Sequence, residues 1–151
     1  ISKSMRKLIN SDIMEIRINT AFEQVLDACA SVQRKDQEGT WITKQMKNAY
    51  LELHQLGIAR SYEAWKDNEL VGGLYGVDLG HVFCGESMFS LVDNASKYAL
   101  IMLAEDLDKK GYSLIDCQLY TPHLQSMGAE EISRESFLKI LKGENKSGIK
   151  K

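Results

Sequence analysis

Two acidic side chains lie in or beside segments that otherwise predict buried strands, where an unpaired carboxylate is costly. Glu86 stands between a glycine and a serine in residues 85–90 (GESMFS), directly after an apolar stretch. Asp116 lies within residues 114–118 (LIDCQ), which predict a short and largely apolar strand. Because side chains alternate along a strand, Asp116 and Gln118 share one face of it. These polar groups are candidates for binding a charged substrate and for moving a proton.

Each carboxylate also has a purely structural interpretation. Glu86 fits a turn after the strand, with its side chain in solvent, and Asp116 fits a strand end where it caps a neighbouring turn. The two polar groups on one face of an otherwise apolar strand, Asp116 and Gln118, favour a functional site over that alternative.

Further candidates come from an aromatic residue, a glycine cluster and the histidines. Trp41 stands at the entrance of a predicted helix, where a tryptophan either packs in the core or, if exposed, stacks on a nucleobase. Residues 72–76 (GGLYG) allow a bulge or the close approach of a ligand, but they lack the spacing of a phosphate-binding loop. The three histidines are scattered, so no metal site is predicted.

The composition is that of an ordinary globular protein. The chain has 151 residues, of which 44% are hydrophobic and 26% charged, and its formal net charge is −2, so any RNA contact must use a local basic patch. Three widely separated cysteines argue against a disulfide framework and a zinc site and favour a reducing compartment. No apolar run has the length of a membrane span, and no segment resembles a signal peptide. We therefore expect a cytoplasmic monomer.

Hydrophobic periodicity predicts helices and strands that form one domain over residues 1–141. The predicted helices cover residues 21–34, 43–57, 93–110 and 134–141, with caps at Thr43, at Asp93 or Asn94, and at Ser133, and a helical turn is expected within 121–127. The predicted strands cover residues 13–18, 59–65, 70–77, 81–84 and 113–118, the last of them buried and central. This order predicts an α+β fold with a mixed sheet, followed by a lysine-rich tail, residues 142–151, that frays.

Seven segments, taken in order, are similar to those of the leucyl/phenylalanyl-tRNA-protein transferase family. They are residues 39–43 (GTWIT), 49–57 (AYLELHQLG), 69–77 (ELVGGLYGV), 83–90 (FCGESMFS), 94–97 (NASK), 114–118 (LIDCQ) and 124–129 (LQSMGA). No single segment is specific, but their order and compatible spacing carry the resemblance over about residues 1–141.

The resemblance implies an acetyltransferase-like (GNAT-like) fold, in which helices flank a mixed sheet. It also implies the transfer of Leu, Phe or Met from aminoacyl-tRNA to proteins whose first residue is Arg or Lys, which marks them for degradation, with no cofactor. By motif, Asp116, Gln118 and Glu86 match the catalytic and acceptor-binding positions, and Trp41 matches an aromatic residue near the terminal adenosine. The pocket for the amino-acid side chain is expected from Leu74, Phe83, Met88, Leu100, Leu103 and Ile115.

The resemblance implies a departure from the family at the chain start, where we expect most of the family's N-terminal domain to be absent. Because the chain begins at Ile1 rather than Met, we expect a processed product or a segment of a longer open reading frame. The candidates for tRNA contact are Lys3, Arg6 and Lys7, and the alternative is that they are solvated residues of a frayed terminus. Leu74 and Leu103 are aliphatic, which leaves the preference among Leu, Phe and Met open.

Two other functions compete with aminoacyl transfer. An acetyl-CoA-dependent enzyme on the same fold predicts a glycine-rich pyrophosphate loop before the helix at Asp93, but residues 89–93 (FSLVD) supply neither a glycine nor a cation. A non-catalytic module that binds tRNA ends or N-terminal peptides stays open, because the N-terminal domain of the family is largely missing.

Overall fold

The computed structural model describes residues 3–36, 43–117, 124–125 and 127–143, with the backbone only for residues 33–36. In these parts the elements, in chain order, are α1 (Lys3–Ile9), β1 (Glu15–Ile18), α2 (Phe22–Asp36), α3 (Lys44–Gln55), β2 (Ala59–Lys66), β3 (Glu69–Asp78), β4 (Val82–Ser90), α4 (Ala95–Lys109), β5 (Leu114–Asp116) and α5 (Arg134–Leu141). The predicted α+β class is confirmed.

One five-stranded sheet has the order β1-β2-β3-β4-β5. Strands β1 to β4 are antiparallel neighbours, and β5 pairs parallel to β4, so the predicted mixed sheet is confirmed. On one face α2 and α3 pack through a cluster that includes Phe22, Leu26 and Tyr75. On the other face α4 packs through Ala99 and Leu103. The sheet is thus covered on both faces.

The β2–β3 hairpin turns through Asp67 and Asn68, as the sequence predicts. Both residues have positive φ, 51° and 62°, which is the conformation of a two-residue type I′ turn. The twist of that turn matches the twist of the two strands and sets the pairs Lys66–Glu69 and Trp65–Leu70; a register shift between Ala64 and Trp65 then brings Tyr62 opposite Leu74.

Helix α3 has the predicted cap at each end. The Thr43 hydroxyl oxygen accepts a hydrogen bond from the backbone N–H of Met46 at 3.2 Å. At the other end Gly57 has φ +77°, and the N–H groups of Gly57 and Ile58 donate to the carbonyls of His54 and Leu53. This is a Schellman motif, which requires a left-handed residue and therefore favours glycine.

The start of α4 differs from the prediction. Asn94 occupies the cap position with φ 67°, but its side chain makes no capping hydrogen bond. Instead the Ser90 hydroxyl, at the end of β4, accepts a hydrogen bond from the Ser96 N–H at 3.2 Å and donates to the Val92 carbonyl at 2.7 Å. A single serine therefore closes the connection between β4 and α4.

Two strand predictions are wrong in extent or position. Strand β4 runs to Ser90, well past the predicted end at residue 84, so Glu86 lies inside a strand and not in a turn after it. Strand β5 is partly buried and stands at the end of the described sheet, and is not central.

The chain start is a helix, which the sequence reading did not predict. Met5 of α1 is buried, and Leu8 and Ile9 pack against a cluster that contains Ala95 and Tyr98 of α4. Residues 3–9 are therefore not frayed, but Lys3, Arg6 and Lys7 are exposed on the helix, so their contact with tRNA stays a prediction. Most of the predicted turn at 121–127 and of the tail at 142–151 lies outside the described residues.

Glu63 of β2 is fully buried and satisfied by its neighbours. Its Oε1 accepts hydrogen bonds from the Thr20 N–H at 3.0 Å and from the Thr20 hydroxyl, and its Oε2 accepts one from the Ser61 hydroxyl at 2.7 Å. These bonds join the end of β1 to β2, so this carboxylate has a structural role.

Candidate functional site

The six predicted pocket residues lie together in one apolar cluster between the sheet and α4. Across β3 and β4, Leu74 pairs with Met88, and across β4 and β5, Phe83 pairs with Ile115. The other two members, one turn apart on α4, are Leu100 and Leu103.

The members of this cluster differ in burial. Leu74, Phe83 and Leu103 are almost completely buried, whereas Met88, Leu100 and Ile115 are partly exposed. The first three thus form the floor of the cluster and the other three its rim. This grouping agrees with the predicted amino-acid pocket, and the role of the six residues stays a prediction.

A β-bulge places Glu86. Tyr75 of β3 pairs with Ser87 and Gly76 pairs with Gly85, so Glu86 is an extra residue on β4 without an opposite partner. A bulge re-aims the side chain of the inserted residue. The Glu86 carboxylate lies within hydrogen-bonding distance of α3, where the Tyr50 hydroxyl donates to Oε2 at 3.3 Å.

The described pairing between β4 and β5 ends at Cys84 and Asp116. This is the last pair between β4 and β5, and β4 continues to Ser90 without a further β5 partner among the described residues. Glu86 follows two residues after Cys84, directly beyond this point. The two carboxylates therefore stand on neighbouring strands at the end of this described pairing.

The Cys84 thiol lies near both carboxylates. Burial raises the pKa of Cys84, and the negative charges of Asp116 and Glu86 raise it further. Burial followed by the charge of Asp116 raises the pKa of Cys117 as well. Both thiols are thus poor candidates for a thiolate nucleophile, since reactive cysteines have a lowered pKa. The carboxylates Asp116 and Glu86 stay the predicted reactive groups of the site.

Tyr50 belongs to a row of aromatic rings in contact with one another. Its ring packs edge-on against Tyr75 at 5.3 Å, Tyr75 packs edge-on against Phe22 at 5.9 Å, and Phe22 stacks on His54 at 4.2 Å. Burial, and then the negative charge of Glu86, raises the pKa of Tyr50 to about 12. At neutral pH Tyr50 is therefore a protonated donor to the carboxylate.

Two predicted site residues, Trp41 and Gln118, lie outside the described residues, so their placement stays a prediction. The three predicted tRNA-binding cations, Lys3, Arg6 and Lys7, are exposed on α1, which packs beside the first turns of α4.

Comparison with known proteins identifies the family. The family model described as leucyl/phenylalanyl-tRNA protein transferase matches residues 1–142. The chain belongs to this family. It is 57% identical to the leucyl/phenylalanyl-tRNA–protein transferase of Flavobacterium johnsoniae, over 94% of the chain and 67% of that protein. It is 55% identical to the same-named protein of Christiangramia forsetii, over 93% of the chain and 68% of that protein.

These comparisons confirm the resemblance seen in the sequence, since the relatives carry the name of an aminoacyltransferase. A further relative of that name, from Nitrosomonas eutropha, is 55% identical, and the chain spans 60% of its length. The chain thus spans roughly two thirds of the length of the transferases it matches.

Solved structures confirm the acetyltransferase-like fold of this transferase family member. An aminoglycoside acetyltransferase from an uncultured soil metagenomic sample superposes with a TM-score of 0.61 at 14% identity, over 82% of this chain and 93% of that one. A ribosomal-protein-alanine N-acetyltransferase from Brucella melitensis gives a TM-score of 0.54 at 16% identity, over 80% and 93%. At this identity the likeness concerns the fold alone.

The sequence reading missed Tyr50 as a site residue. It belongs to residues 49–57, one of the segments that resemble the family, and it falls on the apolar stripe of α3. A tyrosine hydroxyl on the apolar stripe of a helix that has no fully buried residue is a sequence signal that this residue could form a hydrogen bond at a site.

The described residues contain no group of three or more metal-ligating side chains that could hold a metal ion. No helix in the same parts of the chain is long and apolar enough to cross a bilayer.

Proposed function

We propose that this chain transfers Leu, Phe or Met from aminoacyl-tRNA to the N-terminus of proteins that begin with Arg or Lys, which marks those proteins for degradation. One observation carries the proposal: Asp116 and Glu86 stand on neighbouring strands at the end of the described β4–β5 pairing, and the same two strands carry Met88 and Ile115 of the apolar cluster. Such a site can hold an uncharged side chain beside a cationic acceptor. Family membership supports the same reaction.

The donor side of the reaction uses the apolar cluster. The ester in an aminoacyl-tRNA is already activated, so the enzyme must chiefly hold it in place. The side chain of the amino acid inserts between the rim residues Met88, Leu100 and Ile115 and rests on the buried floor. A pocket lined by aliphatic carbon selects by volume and gives no polar contact to a charged amino acid.

The acceptor side uses the carboxylates. The α-amine of a protein has a pKa of about 8, so much of it is protonated at neutral pH. Asp116 attracts this cation and helps it lose a proton, with Gln118 as the expected partner. The amine nitrogen then attacks the ester carbon, the amide bond forms and the ester C–O bond breaks. Of the two protons that the nitrogen loses in all, one passes to the departing ribose oxygen and the other to solvent. Glu86 pairs with the Arg or Lys side chain of the acceptor.

The start of α4 argues against an acetyl-CoA reaction. A pyrophosphate requires free N–H groups at a helix N-terminus. Here the N–H of Ser96 donates to the Ser90 hydroxyl at 3.2 Å and that of Ala95 to the Val92 carbonyl at 3.3 Å. The chain itself therefore occupies donors that a pyrophosphate would need.

The same proposal places the tRNA along α1 and the reaction in the cytoplasm. The exposed cations Lys3, Arg6 and Lys7 give α1 a positive surface beside the start of α4. Phosphates bind such a surface without reading sequence, which suits an enzyme that accepts several tRNAs. Aminoacyl-tRNA is made in the cytoplasm, which is the compartment that the free cysteines also favour. We propose a monomer without a cofactor.

The test is a transfer assay with an isosteric change at the site. Asp116→Asn should slow transfer of Leu from Leu-tRNA to a peptide that begins with Arg by roughly two orders of magnitude or more, the scale of a positioned acid–base group. Asp108→Asn, which neutralises an exposed carboxylate on α4, is the matched control and should transfer normally. Normal transfer by Asp116→Asn would remove Asp116 from the mechanism. If the wild-type chain binds the peptide but transfers no amino acid, it is the non-catalytic module instead.

A further inference from the structure

Tyr50 joins α3 to the bulged carboxylate of β4. Its hydroxyl donates to Oε2 of Glu86 at 3.3 Å, across 36 residues of sequence. The ring is held edge-on against Tyr75, with ring centres 5.3 Å apart and planes at 75°. A rigid aromatic donor is therefore aimed at the carboxylate that the sheet has pushed out of its regular pairing.

We propose that Tyr50 is a positioning residue, which fixes the Glu86 carboxylate for the cationic side chain of the acceptor. This inference rests on the proposed function, in which Glu86 binds that side chain. It assigns to α3 a task in acceptor recognition beyond covering the sheet.

The hydrogen bond fixes one end of a flexible side chain. With Oε2 engaged by Tyr50, Oε1 is presented to the acceptor, and the carboxylate no longer has to be ordered when the cation binds. A hydroxyl–carboxylate hydrogen bond is usually about 2.5–2.7 Å long, so the contact at 3.3 Å has room to tighten. Contacts of this kind often tighten only in the complex with substrate.

The competing explanation is that Tyr50 serves only as an aromatic ring in the core between α3 and the sheet. The two explanations make different demands, because packing needs the ring and positioning needs the hydroxyl. Tyr75 offers the matched comparison. It is a tyrosine of the same cluster, fully buried, and its hydroxyl has no hydrogen-bond partner in the described part of the chain.

The experiment compares Tyr50→Phe with Tyr75→Phe in steady-state transfer. Tyr50→Phe should raise the KM for a peptide beginning with Arg by roughly threefold to tenfold, the scale of one hydrogen bond. It should leave the KM for Leu-tRNA and the unfolding temperature unchanged. Tyr75→Phe should change neither KM, because it removes a hydroxyl that bonds to nothing described.

A double-mutant cycle with Glu86→Gln shows whether Tyr50 acts through Glu86. If it does, Tyr50→Phe raises the peptide KM only slightly further in a chain that already carries Glu86→Gln. An unchanged peptide KM in Tyr50→Phe, or an equal rise of that KM in Tyr75→Phe, overturns the inference. It is also overturned if the effects of Tyr50→Phe and Glu86→Gln on the peptide KM are fully additive in free energy in the double variant.

A binding titration separates this inference from the proposed function. If the wild-type chain transfers none of Leu, Phe and Met, the proposed function fails, and the Arg-initiated peptide is then titrated calorimetrically into wild type and Tyr50→Phe. Weaker binding to the variant by a similar factor upholds the positioning role. Equal affinity, or no binding to wild type, overturns it.

Discussion

Gly76 and Gly85 face each other across β3 and β4, but only one of them has room for a side chain. A Cβ at Gly76 would lie 2.3 Å from the carbonyl oxygen of Cys84 and 2.6 Å from the Phe83 ring. A Cβ at Gly85 would meet only the carbonyl oxygen of Asp116, at 3.5 Å. The first glycine therefore permits the close strand approach at the bulge, and the bulge in turn places Glu86.

This difference predicts opposite results for two alanine substitutions. Gly76→Ala should destabilise the protein by several kcal/mol, because the atom it meets is backbone and cannot move aside without breaking the β3–β4 pairing. Gly85→Ala should change the free energy of unfolding by less than about 1 kcal/mol, since its contact is an ordinary one. Urea denaturation of both variants measures the difference, and equal stabilities would contradict the assigned role of Gly76.

The bulged strand β4 is one element whose extent the sequence did not predict. Residues 85–90 begin with a glycine and a charge, a pattern typical of a turn, and local preference therefore predicted the end of the strand at residue 84. The structure extends β4 to Ser90 because β3 pairs with it on both sides of the bulge at Glu86. Elements with local signals, such as the capped α3 and the two-residue hairpin turn, were predicted correctly.

Helix α1 and the cap of α4 were not predictable for a related reason. A helix of seven residues is too short to be stable alone and forms because Met5, Leu8 and Ile9 pack against neighbours distant in sequence. Likewise Ser90, six residues before Ser96, becomes the hydrogen-bond acceptor for α4 only when β4 and α4 meet. The grouping of the pocket residues came from the family resemblance, and the periodicity of the chain alone did not give it.

We predict that truncating different leucines of α4 in the apolar cluster affects either the preference among charged tRNAs or the folding stability. Leu100→Ala removes a partly exposed rim residue and should shift the relative use of Leu-, Phe- and Met-tRNA by about 1–3 kcal/mol, which blurs the preference without switching it. Competition assays with the three charged tRNAs measure the shift.

Leu107→Ala is the control for this prediction. Leu107 lies on the same face of α4, two turns further on, and is completely buried. Its truncation should cost about 2–5 kcal/mol of folding free energy and leave the ranking of the three tRNAs unchanged. An altered ranking in Leu107→Ala, or an unaltered one in Leu100→Ala, would mean that the rim residue does not touch the amino acid.

The cations of α1 predict a salt-dependent interaction with tRNA. Replacing Lys3, Arg6 and Lys7 by glutamine should weaken the binding of any elongator tRNA about equally, because phosphate contacts carry no sequence information. The slope of log K against log salt should flatten by roughly one for each phosphate that is no longer neutralised. Filter binding over a range of salt concentrations measures both effects.

The matched control removes three positive charges from a surface away from α1. Lys109, Lys139 and Lys142 are exposed cations near the ends of α4 and α5, and their replacement by glutamine should leave the tRNA affinity nearly unchanged. A similar loss of affinity in both triple variants would show that net charge, and not α1, controls binding.

Asp78 predicts how the stability of the domain depends on pH. Burial alone would raise the pKa of Asp78, but hydrogen bonds from the Gly80 N–H, the Tyr112 hydroxyl and Arg60 outweigh it and lower the pKa below its usual value. The Arg60 contact is 3.0 Å long and the Tyr112 contacts are 2.7 and 2.8 Å long. The ionised carboxylate at the end of β3 thus links the start of β2 to Tyr112, two residues before β5.

A carboxyl group whose pKa is lower in the folded state stabilises the fold above its unfolded pKa, and this stability is lost as the pH falls through the folded pKa. Asp78→Asn should therefore lower the free energy of unfolding by roughly 2 kcal/mol at pH 7, the scale of hydrogen bonds to a charged group. The difference between wild type and variant should shrink as the pH falls below about 4, where the unfolded carboxyl becomes protonated. Glu135→Gln, which breaks the exposed Glu135–Lys139 pair with its carboxylate side chain 81% accessible, is the control and should cost less than about 0.5 kcal/mol at every pH. Urea denaturation between pH 3 and 8 measures both variants, and a deficit in Asp78→Asn that stays constant down to the acid limit would contradict a stabilising role of the ionised form.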